Sequence, residues 1–171
     1  TDKIVFDVSH QCYTHKILTE RIHREFIIAE KHLSRIEECV SLMNNMFPLS
    51  TASYSFLSSE EVRLLDQFIF RFSKLQDCLG AKIFRYTLQL LDEDVENAPM
   101  RDVLNMLERY NLLPSVQEWM TLRELRNEVA HDYPFEVDDV VESLNHLHEK
   151  WELLKVVLFR LKEVYLSNVK R

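Results

Sequence analysis

One glycine, Gly80, and four prolines are all the strong chain-breakers that 171 residues contain. Hairpins and tight turns draw on glycine for backbone angles other residues avoid, so this chain has little material for them. Long helices are the expected content. The same scarcity excludes whole classes of site. A phosphate loop or a dinucleotide fingerprint needs several glycines where backbone must approach a ligand closely.

Apolar periodicity fills in the helices. Ile22, Phe26, Ala29, Leu33, Ile36, Val40 and Met43 recur three or four residues apart, which predicts a helix from Thr19 to about Met46. Phe47-Pro48 ends it, because the residue before proline is pushed out of the α region. Residues 1–15 show no clear period and are read as irregular; residues 49–57 are read as a loop. Ser58-Ser59-Glu60-Glu61 is a capped start with acidic residues in the first turn. The helix it opens runs to about Asp92, with Leu65, Phe68, Phe72, Leu75, Leu79 and Ile83 inward and Gly80 at a close crossing or bend. A short helix follows over Met100–Tyr110. Pro114 starts a fourth that carries Trp119, Leu122, Leu125 and Val129, and Asp138-Asp139 open a last long one. The expectation is an all-α, antiparallel up-and-down bundle of about five helices in a single domain spanning 1–171. Trp119, Trp151 and the phenylalanines are read as core.

Charge and cysteines bound the partners. Net charge is −7, so broad electrostatic attraction to nucleic acid, DNA included, is not expected. Cys12, Cys39 and Cys78 are odd in number and far apart, as expected of reduced thiols in a cytoplasmic setting. No apolar run approaches the ~20 residues of a membrane span, and no signal-peptide pattern opens the sequence. No cofactor motif is present. His146 and His148 point apart on a helix, and Cys12 and His15 stand alone, so no metal site is expected.

Leu125 to Pro134 is where the sequence departs from scaffold. It sets Arg126, Asn127, His131 and Tyr133 in close order where a helix must end at Pro134. On an ideal helix Arg126 falls at the edge of the Trp119–Leu122–Leu125–Val129 face, with Asn127 and His131 one turn apart on another. A histidine in a last turn feels the negative end of the helix dipole, which favours its protonated form and suits it to acid–base work. An arginine is a fork of donors for phosphate oxygens. Arg126 and His131 lie about 140° apart on one helix, so a shared site calls for a loosened last turn, a wrapped arginine, or a second copy across a two-fold axis.

Arg126-Asn127-Glu128-Val129-Ala130-His131-Asp132-Tyr133 resembles the Arg-x4-6-His-x-Tyr signature of HEPN domains, and Phe70 to Asp77 resembles the long-helix segment of bacterial members. The resemblance spans roughly residues 60 to 165. It implies a helical bundle that dimerises at the motif and acts as a metal-independent endoribonuclease toxin of a type II/VII-like toxin–antitoxin pair, leaving a 2′,3′-cyclic phosphate. By the same resemblance His131 is the acid–base group, Arg126 stabilises the phosphorane, Asn127 orients substrate or histidine, and Tyr133 is open to AMP attachment by a minimal nucleotidyltransferase antitoxin. Arg71, Lys74 and Arg123 are the candidate RNA contacts.

Other readings stay open. The domain could be a non-catalytic module that binds nucleotide or protein beside the nucleotidyltransferase, or a helical adaptor whose motif serves dimer packing. Arg126 and His131 also fit a plain helix end with a surface ion pair and a capping histidine. Arg71, Lys74 and Asp77 fit a solvated, salt-bridged helix face.

Overall fold

The computed structural model describes residues 2–130 and 136–169, with side chains from Thr14 onward. All regular structure among these residues is helical. Helix α1, Asp2–Met43, is 42 residues long, about 60 Å at 1.5 Å per residue. It is already helical from Asp2, where an irregular start was expected; extending an existing helix adds a hydrogen bond for each residue fixed, so a weak apolar period suffices. Ile22, Phe26, Ala29, Leu33, Ile36 and Met43 bury its inner stripe. The helix ends at Met43, before Phe47-Pro48, which is a cis peptide.

Residues 44–50 dock on a later helix. The Leu49 N–H donates to Asn145 Oδ1 at 2.7 Å, and Asn145 Nδ2 returns a bond to the Leu49 carbonyl at 2.9 Å. Inside the expected 49–57 loop lies a one-turn helix, α2 (Thr51–Ser55), closed by a Ser50–Ser53 capping box. Short serine-capped turns carry no apolar stripe, so periodicity misses them. Helix α3, Ser59–Cys78, opens with the expected cap: the Glu61 N–H donates to Ser58 Oγ at 3.3 Å, and the Ser58 N–H to Glu61 Oε2 at 2.8 Å.

The helix then passes through a π-turn over Leu79–Ile83 and continues as α4, Phe84–Leu90. Gly80 sits in that π-turn, and a methyl there would meet Trp119 Cζ2 at 3.6 Å, an ordinary contact. Asp92 turns the chain with φ 61°, and Arg85 ties the turn by donating to the carbonyls of Val95 and Ala98. Helix α5 is Met100–Arg109 and α6 is Val116–Ala130. The expected last helix is two, α7 (Val137–Lys150) and α8 (Glu152–Val169), separated by a turn at Trp151.

Pairing is antiparallel where side chains cross between helices. His32 of α1 meets Arg71 of α3, and seven residues earlier Glu25 meets Lys82, eleven residues later. Glu37, Glu30 and His23 of α1 meet Lys155, Lys162 and Tyr165 of α8 in reversed order. Helix α6 lies between α3 and α7 and contacts both. The inner faces of the long helices make one apolar cluster, with Trp119 of α6 against Phe84 of α4. The all-α bundle expected from the sequence is what forms.

Three phenylalanines depart from the core expectation: Phe56, Phe70 and Phe159 are 88%, 50% and 48% exposed. Trp151 is only partly buried. Phe70 and Phe159 fall off the inward stripes of their helices, Phe56 and Trp151 lie in turns, and residue type alone cannot place them.

Candidate functional site

Arg126 lies in the penultimate turn of α6, and the structure moves it from the edge of the apolar face into the seam. Trp119, Leu122 and Arg126 follow one another at helical spacing as the buried line of α6, while Leu125 and Val129 are only partly buried. The reason is in α3. Arg126 Nη1 donates to Asp77 Oδ1 at 3.1 Å, with the arginine side chain 11% exposed and the aspartate 56%. A carboxylate on the facing helix makes burial of a guanidinium tolerable. Arg126 Nε is buried and finds no partner among the described residues.

Asn127, the next residue, is exposed. Glu128 turns towards α7, accepting from Ser143 Oγ at 3.3 Å. His131 and Tyr133 lie outside the described residues. Arg126 is thus a seated guanidinium with one bond committed to Asp77 and one donor unpartnered among the described residues, five residues before His131 in the sequence.

The three candidate RNA contacts do not form one group. Arg123 is exposed on the α5 side of α6, in a cleft of about 570 Å³ shared with Arg101, Glu108 and Glu124. Arg71 and Lys74 lie on the α1 side of α3. Arg71 Nη1 sits 3.2 Å from His32 Nδ1, and Arg71 Nε is buried without a partner among the described residues. Burial, and then the charges of Arg71, Lys74 and Lys31, hold the His32 pKa below its ordinary value, so His32 is neutral and accepts from Arg71. Both Arg71 and Lys74 lie over the exposed ring of Phe70, at 5.4 and 5.6 Å from its centroid.

The salt-bridged face expected for Arg71, Lys74 and Asp77 is thus not what forms. Asp77 is taken by Arg126, and neither Arg71 nor Lys74 holds a carboxylate among the described residues. Sequence spacing gives no sign of one residue here, His32, or of the pairing of Asp77 with Arg126. Both depend on contacts 39 and 49 residues apart, which no local spacing reports.

Other chemistry-bearing groups resolve into structure. Burial, with Glu25 beside it, pushes the Cys78 thiol up to about 12, which keeps it protonated and unreactive. His148 stacks on Phe47 with ring centroids 3.8 Å apart, and burial lowers its pKa. No cluster able to hold a metal ion occurs among the described residues, nor does any helix long and apolar enough to cross a membrane.

Residues 1–36 are similar to the 1-deoxy-D-xylulose-5-phosphate synthase family model. No curated protein and no solved structure matches the chain. The HEPN resemblance is overturned by this outcome, since the family match names another family and falls at the opposite end from residues 126–133. The physical reason is the small information content of the signature. With 7 histidines in the chain, an Arg-x4-His spacing arises by accident about half the time. The synthase match covers 36 of 171 residues, and residues 2–36 of it belong to the single helix α1. One amphipathic helix recurs in many folds and does not carry an enzyme's site.

Proposed function

We propose that the C-terminal end of α6 is a metal-independent RNA-cleaving site, with Arg126 as the phosphate-binding group and His131 as the acid–base group. The observation that carries this reading is the seated guanidinium of Arg126, buried yet with its Nε unpartnered among the described residues. A buried donor without an acceptor is costly. A phosphate oxygen is the kind of acceptor that an arginine fork satisfies with two parallel bonds.

In this reading His131 takes the proton from a ribose 2′-hydroxyl as that oxygen attacks the adjacent phosphorus. The bond to the 5′-oxygen breaks, that oxygen takes up a proton, and a 2′,3′-cyclic phosphate remains. Arg126 is positioned before the reaction, so its charge stabilises the crowded phosphorane without reorganisation. Asn127, exposed beside it, orients the substrate. A second copy across a two-fold axis would supply a His131 to this arginine, since positions 126 and 131 of an ideal helix lie about 140° apart.

An unrestrained RNase of this kind arrests growth in its own cytoplasm. It therefore calls for a neutralising partner, and a small nucleotidyltransferase that modifies Tyr133 with AMP would fill the site with bulk and negative charge. Expression of the chain is expected to arrest growth, with relief by His131→Ala; arrest by that variant at equal strength contradicts the assignment. One observation favours a second reading. Asp77 already neutralises Arg126, as befits a non-catalytic module in which the pair only locks α6 to α3 and the partner is bound without RNA cleavage.

A further inference from the structure

Six cations among the described residues are paired with carboxylates. Arg35 pairs with Glu38, Lys82 with Glu25, Lys155 with Glu37 and Lys162 with Glu30. The α1–α3 seam gathers three cations that are not so paired. Lys31, Arg71 and Lys74 surround His32, and none of the three holds a carboxylate among the described residues. The chain has 28 acidic against 21 basic residues, so acceptors were not scarce. Arg71 spends one bond on a neutral imidazole and leaves its Nε buried with no partner among the described residues. Beside them Phe70 is half exposed, its ring beneath both Arg71 and Lys74.

We propose that this seam, formed by Lys31, His32, Arg71 and Lys74 with Phe70 as a stacking platform, seats a single-stranded RNA. Cations without carboxylates supply attraction for successive phosphates, and the half-exposed Phe70 ring supplies a surface on which a base of any identity can stack. An acidic protein would use the charges and leave the ring unexplained. Asp77, which holds Arg126, follows Lys74 by three residues on α3, a rise of about 5 Å. A strand lying on the seam is thereby led towards Arg126. The choice of RNA rests on the cleavage reading; the seat for a phosphate chain and a base does not.

The test uses the full chain and a fluorescent oligouridylate of about ten nucleotides, 2′-O-methylated throughout so that it cannot be cleaved. Anisotropy should show binding that weakens with salt. Phe70→Ala should lower affinity about tenfold, and Lys74→Ala should lower it and flatten the salt slope by about 0.7. Both altered side chains are exposed, so folding is retained, and matching thermal melts verify it. Absence of binding overturns the seat, as does full affinity in both Phe70→Ala and Lys74→Ala. Equal displacement by polyglutamate, unaffected by Phe70→Ala, also overturns it and points to an acidic protein partner. Normal oligonucleotide binding with no cleavage of ordinary RNA leaves the seat standing and removes the cleavage reading; cleavage with unaltered binding in both variants does the reverse.

Discussion

The Arg126–Asp77 pair makes an asymmetric prediction that separates a seated functional arginine from a surface ion pair. Its two members sit in different media, with side chains 11% and 56% exposed. Asp77→Ala removes the acceptor and leaves a buried guanidinium whose Nε already has no partner among the described residues. A broken buried pair costs about 3–5 kcal/mol. Asp77 is largely solvated, so screening lowers the figure to about 2 kcal/mol, in line with one lost charge-assisted bond. For a chain of 171 residues that is a fall in melting temperature of about 4–8 °C. Arg126→Met keeps most of the buried volume, removes the charge, and strands only an aspartate that water can solvate; it should stay within about 1 kcal/mol of the parent. The double variant should recover most of the loss, giving a coupling of about 1–2 kcal/mol. Urea and thermal melts followed by far-ultraviolet circular dichroism measure all three. An Asp77→Ala variant as stable as the parent would refute the burial argument, and so would an Arg126→Met variant as damaged as Asp77→Ala.

Two further outcomes follow from local geometry. Burial holds the folded-state pKa of His148 below its ordinary 6.5. Its contribution to stability is therefore present above 6.5 and is lost as the pH falls through the lower folded value. Melting temperature should drop between pH 7.5 and 5.5, and less steeply in His148→Phe, which keeps a ring against Phe47; an unchanged slope contradicts this. Gly80→Ala places a methyl at ordinary contact distance from Trp119 and should raise stability by about 0.5–1 kcal/mol, measured by the same melts; a loss of stability would show that the π-turn needs glycine.

How far the sequence reaches can be argued residue by residue. The stripes of α1, α3 and α5 were legible because burial repeats at the helical period, and Ile22, Phe72 and Leu107 are where that period puts them. The Ser58 cap was legible because capping is chemistry between near neighbours. Arg126 shows the limit. Its identity and its place near a helix end can be read locally, but its burial depends on Asp77, 49 residues away. Phe70 is the converse case: its apolarity argued for core, and only the packing of α1 beside α3 leaves its ring outside. The break at Trp151 escaped because the apolar period runs on across it from α7 into α8. The HEPN resemblance failed for the same local reason, since eight residues can repeat a spacing without repeating a family.

The most direct test of the proposed activity is the chemistry of the cut end. Purified chain, incubated with single-stranded RNA in excess EDTA, should yield fragments ending in a 2′,3′-cyclic phosphate, read by mass spectrometry. His131→Ala and Arg126→Met should each lower the rate at least a hundredfold while keeping the fold. Intact RNA with the parent protein, or equal cleavage by His131→Ala, would contradict the account.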